Sequence, residues 1–233
     1  MSELGGMNVL ALDLSFPEGV VTLSFRGKVF WRMVEGSRRA ADLFPLVSDI
    51  LSEAGADRGS IEALGVGRGP GAFTGVRVAV TAAKFLAWAW DLLLVAPSSL
   101  ETIAFSLREE GLVCPCMDAR RKEFYFGLYR REGDSLRVVE GPLLGSVETL
   151  REKLLDWYET YREDIALAGN AGQDVVGGLP LGEPLYMDGP SPEGLLGAVI
   201  AHLREKELVR PLELLPLYLR RPDAEEKQCC RGA

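Results

Sequence analysis

The sequence predicts an α/β protein of two related halves, each a mixed sheet covered by helices, facing one another across a cleft. Three observations carry this reading. Apolar runs of strand length alternate with segments of helical periodicity along the chain, which calls for helices packed on a sheet. The order strand, strand, strand, helix, strand, helix occurs twice, from residue 7 and again from about residue 112. Each half also opens on an apolar run that ends in an aspartate, Asp13 in LALDLS and Asp118 in VCPCMDAR. The halves join near residues 106–112, giving an N-terminal subdomain over 1–108 and a C-terminal one over 109–233.

The elements follow in order. MNVLAL is a strand, residues 13–19 turn around Pro17, and GVVTLSF and GKVFWRM form two more strands joined near Gly27. In RRAADLFPLVSDILSEAG, Leu43, Phe44, Leu46, Val47, Ile50 and Leu51 recur at helical spacing. Pro45 means that this helix begins there or kinks there, since an interior proline costs about 3 kcal/mol. Next come the short strand IEALGVG, a glycine-rich loop, a helix over 74–90 and the strand LLLVA, stopped by Pro97. Ser98 or Ser99 can cap a further helix with Glu101 in its first turn. In the second half Phe124, Phe126 and Leu128 share one side of an alternating strand. A strand over 135–139, a helix over 147–161, the strand IALAG and a helix over 194–205 complete the pattern.

Composition removes several function classes. A chain of 233 residues that is 47% hydrophobic buries a substantial core and is not a disordered linker. The apolar stretch 76–96 contains Arg77, Lys84 and Asp91, so it is not read as a membrane span. The opening MSELGGMNVLALDLSF lacks the basic start of a secretory leader. A net charge of −8 argues against gripping nucleic acid by general electrostatics, so any RNA is expected to be held through a partner. Cys114, Cys116, Cys229 and Cys230 form neither a disulfide framework nor a CxxC pair, as expected of a reducing cytoplasm. The single histidine, His202, cannot build a histidine metal cluster; it is read as packing or capping its helix, and no metal site is expected.

GVGRGPGAFTGVRVAV, residues 65–80, is the most distinctive stretch. No lysine follows the glycines, which excludes a Walker loop. A GxGxxA pattern exists at Gly67, Gly69 and Ala72, but Pro70 interrupts it and no acid closes the following strand at Val95. Gly69 and Gly71 permit positive φ beside Pro70, leaving amides aimed into open space, and Thr74 can cap a helix whose N-terminus favours an anion. A tight strand-to-helix turn without ligand satisfies the same residues. On the helix, Thr74, Arg77, Thr81 and Lys84 form a narrow polar stripe, and Val76, Val80, Phe85, Leu86, Trp88 and Trp90 fill the rest. Such a helix is covered on more than one side, by the sheet and by either a neighbouring helix or a partner chain.

GRGPGAFTGVRVAVTAAK resembles the GPGSFTGxR signature of the TsaB (YeaZ) family. LALDLS resembles that family's opening strand, APSSLETIA its serine-led helix, MDARRKEFYFGLY its DAR hairpin and PLYLR its C-terminal PxYxR. Together these span nearly the whole chain in the family's order. Ala72 stands where the signature usually has serine, and Arg39 stands near a place where the family often has histidine, so no role of that histidine transfers. The resemblance implies a two-lobed fold of the actin, sugar kinase and Hsp70 type. It implies a noncatalytic, cytoplasmic scaffold that forms a heterodimer with the metal-carrying TsaD paralogue, which transfers a threonylcarbamoyl group to adenosine 37 of ANN-decoding tRNAs. The TsaE ATPase joins them, tRNA is reached through the complex, and the chain is expected to form a homodimer when alone. No intrinsic cofactor is implied, with ATP bound only in the assembled complex.

With that resemblance, the expected partner surface comprises Leu43, Leu46, Val47 and Ile50 with Val76, Val80 and Lys84. Residues expected near any anion or nucleotide are Asp13, Gly69, Gly71, Thr74, Arg77, Asp118 and Arg120. The competing reading is an ATP-dependent phosphotransferase or ATPase of the same fold, using Asp13 and Asp118. Against it, the hairpins read Asp13-Leu14-Ser15 and Asp118-Ala119-Arg120, without the glycine that lets backbone approach phosphate, and LAGNAG (167–172) only half resembles an adenine cradle. A peptidase reading has little support with one histidine and no metal set. For Asp13, Asp118 and Arg120 the preferred reading is structural, as groups that fix hairpin turns through backbone hydrogen bonds. Arg120, Arg121 and Lys122 suit either a tRNA contact or a solvated turn.

Overall fold

The structure, a computed structural model, describes residues 6–34, 39–170 and 185–220. In the first half β1 (Val9–Asp13), β2 (Gly19–Phe25), β3 (Lys28–Val34), β4 (Ala63–Val66) and β5 (Leu93–Val95) form a sheet in the order β3-β2-β1-β4-β5. In the second, β6 (Gly111–Asp118), β7 (Glu123–Glu132), β8 (Ser135–Ser146), β9 (Ile165–Gly169) and β10 (Leu185–Tyr186) are ordered β10-β9-β6-β7-β8. The central strand of each sheet has an antiparallel hairpin partner on one side and a parallel strand on the other. Leu12 thus faces Val21 and Val66, and Cys116 faces Phe126 and Gly169. This repeated connectivity is the duplicated mixed-sheet plan of the two-lobed actin-like fold. The latter part of LAGNAG and the tail with Cys229 and Cys230 lie outside the described residues.

Five α-helices are described: α1 (Arg39–Ala54), α2 (Phe73–Trp90), α3 (Ser99–Ser106), α4 (Val147–Tyr161) and α5 (Pro192–Arg204). None is long and apolar enough to cross a membrane. Helix α1 runs through Pro45, whose ring sits on its exposed side. Helix α3 starts with a capping box, the Leu100 amide donating to Ser98 Oγ at 3.2 Å and the Ser98 amide to Glu101 Oε2 at 2.5 Å. Helix α2 departs from expectation. Its N-cap is Ala72, and Thr74 lies within the first turn. The turn is closed by backbone instead of a hydroxyl: the Ala72 amide donates to the Ser15 carbonyl at 2.7 Å and the Val76 amide to the Ala72 carbonyl at 2.9 Å.

One face of the first sheet is covered by α1 and α2, with Leu43, Val47, Ile50, Val76, Val80 and Leu86 packed on Leu10, Leu12, Leu23 and Leu64. Helix α4 does the same for the second sheet, placing Leu150, Leu154 and Trp157 on Cys114, Cys116, Phe126 and Leu128. The remaining faces are covered by exchange. Helix α5, from the second half, lays Leu195, Leu196 and Val199 on Val9, Ala11, Val20 and Ala63 of the first sheet. Helix α3, from the first half, lays Leu100, Ile103 and Ala104 on Val113, Tyr125, Tyr129 and Ala168 of the second. Residue 108 therefore ends a stretch of sequence, while the packing crosses it. Burying each large aliphatic side chain contributes roughly 1.5–3 kcal/mol, so this exchange ties the halves strongly.

Helices α3 and α5 also pack on each other at short range. A Cβ at Gly194 would lie 2.0 Å from Ser106 Oγ, and one at Gly197 would lie 3.1 Å from the Phe105 ring. At the end of α5, His202 Nε2 stands 3.4 Å from Glu101 Oε1 of α3, and its Nδ1 is 2.7 Å from Glu207 Oε2. Burial pulls the His202 pKa down, but the hydrogen bond to Glu101 and the charges of Glu101, Glu207 and Glu205 push it up and prevail. A histidine whose folded pKa exceeds its unfolded value contributes stability that is complete below the unfolded value, near 6.5, and fades as pH rises through the folded one. The thermal midpoint of the wild type should therefore exceed that of His202→Gln most below pH 6.5, with the gap narrowing at higher pH. A pH-independent gap in melting scans across pH 5.5–9 would remove this role.

Candidate functional site

The glycine loop sits where the carboxyl ends of the parallel strands β1 and β4 emerge, beneath the first turn of α2. Asp13 closes β1 and is fully buried. Its carboxylate accepts the Ser15 amide at 3.0 Å, the Ser15 hydroxyl, the Ser99 hydroxyl at 3.3 Å and the Thr102 hydroxyl at 3.1 Å. Burial pushes its pKa above the ordinary carboxylate value, while those four donations work against the rise. Gly67 passes so close that a Cβ there would fall 2.0 Å from Asp13 Oδ2. Nothing larger than glycine fits.

The loop's amides are mostly turned inward. Gly67 donates to the Leu12 carbonyl at 2.9 Å, Arg68 to the Pro97 carbonyl at 3.1 Å and Gly69 to Ser99 Oγ at 3.1 Å, while the Ser99 amide returns a bond to the Gly69 carbonyl at 2.8 Å. Gly69 has φ of +97°, and a Cβ at Gly71 would lie 2.4 Å from the Ser15 carbonyl. The expectation of amides aimed into open space thus fails for Gly67, Arg68, Gly69 and Ala72. The first turn of α2 has no side-chain cap, and there Thr74 and Arg77 are exposed.

Asp118 stands apart from this arrangement. It is exposed at the end of β6, its Oδ1 accepts the Arg120 amide at 2.7 Å, and its own amide donates to Asn170 Oδ1 at 2.8 Å. The partners of Asp13 and of Asp118 have no residue in common. Among the described residues, no group of three or more histidine, cysteine or acidic side chains is placed to hold a metal ion. The turn that follows is unusual: Arg120, Arg121 and Lys122 have φ of +62°, +57° and +62°, a conformation that costs a non-glycine residue roughly 1–2 kcal/mol.

Sequence reasoning missed a strap formed by residues 209–220. Its Val209 amide donates to the Leu94 carbonyl at 2.8 Å, Leu214 enters the first core, and the Leu217 amide donates to the Arg68 carbonyl of the loop at 2.7 Å. Tyr218 stacks on Phe73 at 5.2 Å, and Arg220 donates to the Ala119 carbonyl at 2.9 Å and pairs with Glu123 in the second half. PLYLR, similar to the family's C-terminal PxYxR, marked part of this stretch without showing its path.

The expected partner surface needs correction. Leu43, Val47, Ile50, Val76 and Val80 are each at most 3% exposed and lie in the first core, and Leu46 and Lys84 are half-buried. Helical periodicity marked the side of each helix that faces its own sheet. The outward apolar residues are Phe44, Phe85 and Trp88, with Trp88 73% exposed and the Phe44 and Phe85 rings meeting edge to face at 6.1 Å. Exposed Phe73, Arg77 and Thr81 continue the same side of α2, the Arg77 guanidinium lying 5.1 Å from the Phe73 ring centre.

A family model described as TsaD, tRNA N6-adenosine threonylcarbamoyltransferase, matches residues 37–168. The tRNA threonylcarbamoyladenosine biosynthesis protein TsaB of Bacillus subtilis (strain 168) is 34% identical over 194 residues, covering 78% of this chain and 80% of its own. The chain belongs to the TsaB (YeaZ) family. TsaB of Haemophilus influenzae is 29% identical over 92% of this chain and 94% of its own. The solved structure of YeaZ from Pseudomonas aeruginosa superposes with a TM-score of 0.79 at 31% identity, over 91% of this chain and all of that one. The TsaB-type glycine signature here is thus a packed turn around a buried carboxylate. Asp13→Ala leaves the Ser15 amide and the Ser15 and Ser99 hydroxyls short of a buried acceptor, while Thr102 keeps the Ser99 carbonyl at 2.8 Å, and should cost about 3 kcal/mol or more, with Asp13→Asn costing less because one acceptor oxygen remains. Urea unfolding checks this; an unchanged midpoint for the alanine variant would mean the carboxylate is not a structural pin.

Proposed function

We propose that this chain is a noncatalytic scaffold in the formation of N6-threonylcarbamoyladenosine at position 37 of ANN-decoding tRNAs, docking on the catalytic TsaD paralogue as a heterodimer. The observation that carries the reading is the exposed aromatic face of α1 and α2, built from Phe44, Phe85 and Trp88. A contiguous apolar face of that kind marks an interaction site, and aromatic anchors dominate such interfaces. The names of the TsaB relatives support the pathway. The match of a TsaD family model to residues 37–168, which include both helices, supports a partner with a related pair of helices. In the absence of TsaD the same face serves a homodimer, since a twofold contact needs only self-complementarity.

The buried state of Asp13 favours a scaffold over an ATPase. A carboxylate that organises magnesium or water must be reachable, and this one is enclosed by Ser15, Ser99, Thr102 and the loop. ATP accordingly belongs to the assembled complex, with TsaE as its ATPase and tRNA held jointly. A cytoplasmic location suits this role.

The test is reconstitution of tRNA threonylcarbamoylation with a TsaC-type synthase, TsaD and TsaE, with and without this chain. Modification should require the chain, and the chain alone should not turn over ATP. Phe85→Glu with Trp88→Glu should weaken TsaD association by 100-fold or more, equivalent to about 2.7 kcal/mol, while circular dichroism stays unchanged because both side chains are exposed. Modification indifferent to the chain, or ATP turnover by the chain alone, would overturn the scaffold reading.

A further inference from the structure

The aromatic face and the buried aspartate leave the turn between β6 and β7 without a role. Arg120, Arg121 and Lys122 follow one another there, all three exposed and all three in the left-handed region. Glycine is the residue such a backbone path favours when the path alone matters. Three long cations stand in its place in spite of backbone strain, and strained residues cluster at binding sites.

The turn is firmly held from below. Asp118 accepts the Arg120 amide, Asn170 accepts the Asp118 amide, the Ala119 amide donates to the Glu123 carbonyl at 2.9 Å, and Arg220 of the strap anchors both the Ala119 carbonyl and the Glu123 carboxylate. Of the acids around the turn, Glu123 is paired with Arg220, Asp118 accepts the Arg120 amide, and Glu148, which feels the charge of Lys122, accepts the Ser146 hydroxyl at 2.6 Å. In a chain of net charge −8 these three successive exposed cations concentrate positive charge on one anchored turn.

We propose that this turn binds the sugar–phosphate backbone of RNA when the chain is part of the complex described above, on which the inference rests. The chemistry it recognises is the phosphate oxyanion. A hairpin tip is convex, and it lacks the concave walls that bury the base of a mononucleotide. Cations splayed over three successive residues instead match phosphates repeated along a strand, and such contacts position a nucleic acid without reading its sequence.

The experiment uses the full chain assembled with TsaD and TsaE, and compares wild type with Arg121→Gly/Lys122→Gly and with the charge-keeping Arg121→Lys. Relief of left-handed strain is set against the interaction that Arg121 makes within the chain, and a glycine variant that melts close to wild type shows that lost function is not lost folding. Its complex should bind unmodified tRNA several-fold more weakly, and the slope of log affinity against log salt should become shallower by about 1–2. Arg121→Lys should keep both. A complex that assembles but whose tRNA affinity and salt slope ignore the glycine substitutions overturns the tip alone. Tripolyphosphate binding by the isolated chain, lost in the glycine variant while tRNA affinity is unchanged, would assign the tip to a free polyphosphate and overturn RNA. A wild-type chain that does not associate with TsaD overturns the scaffold reading together with this one.

Discussion

A carboxylate without access to water sits at the end of the first central strand, and much of the first half is arranged to tolerate it. Burying an ionisable group unpaired is costly, so Asp13 requires donors fixed within hydrogen-bond reach. Ser15 supplies two from the hairpin turn, and Ser99 and Thr102 supply two more from α3. Those contacts position three elements at once: the β1–β2 turn, the glycine loop and the start of α3. They also explain the direction of the loop. Ser99 bonds Asp13 with its hydroxyl and receives the Gly69 amide on the same oxygen, so the loop is drawn toward the carboxylate and its amides are withdrawn from any ligand. One buried carboxyl group thus converts a sequence that reads as an anion cradle into a structural turn.

Fixing α3 has consequences beyond the first half, because α3 packs on the second sheet and α5 packs back on the first. The junction therefore carries two exchanged helices, the Glu101–His202 contact between them, and the strap that reaches from Leu94 past the loop to Arg220. Domains that close around a substrate need a hinge where a few residues absorb the motion. Among the described residues, α3, α5 and the strap cross-link the halves by packing and hydrogen bonds. Those links oppose a relative motion of the two halves.

The duplicated plan was legible in sequence because its signals are local. Strand runs, turn residues and the Ser98–Glu101 box each act over a few residues, and α4 occurs where its apolar spacing placed it. The outward aromatic face was not legible. Periodicity identifies an apolar side of a helix but does not say whether it meets the chain's own sheet or another chain, and on α2 the sheet takes Val76, Val80 and Leu86. Phe85 and Trp88 read as part of the same apolar majority; only the placement of α1 across from them shows that their side is left open. The start of α2 was misplaced for a related reason. A side-chain cap is visible in sequence, whereas the Ser15 carbonyl that holds Ala72 comes from 57 residues away and leaves no local trace.

The strap also couples features that sequence presents as separate. Phe73, in the first turn of α2, stacks on Tyr218, and two residues later Arg220 fastens the β6–β7 turn. The outward side of α2 and the basic turn are thus held by one short stretch of chain whose middle is bonded to the glycine loop through Leu217. Association costs less when neither surface has to be ordered on contact. A partner meeting α2 finds helix, aromatic pair and arginine already set against one another. The orientation of the cationic turn relative to that partner follows from the same bonds, so a docking surface on one half can present a charged tip on the other without any motion between them.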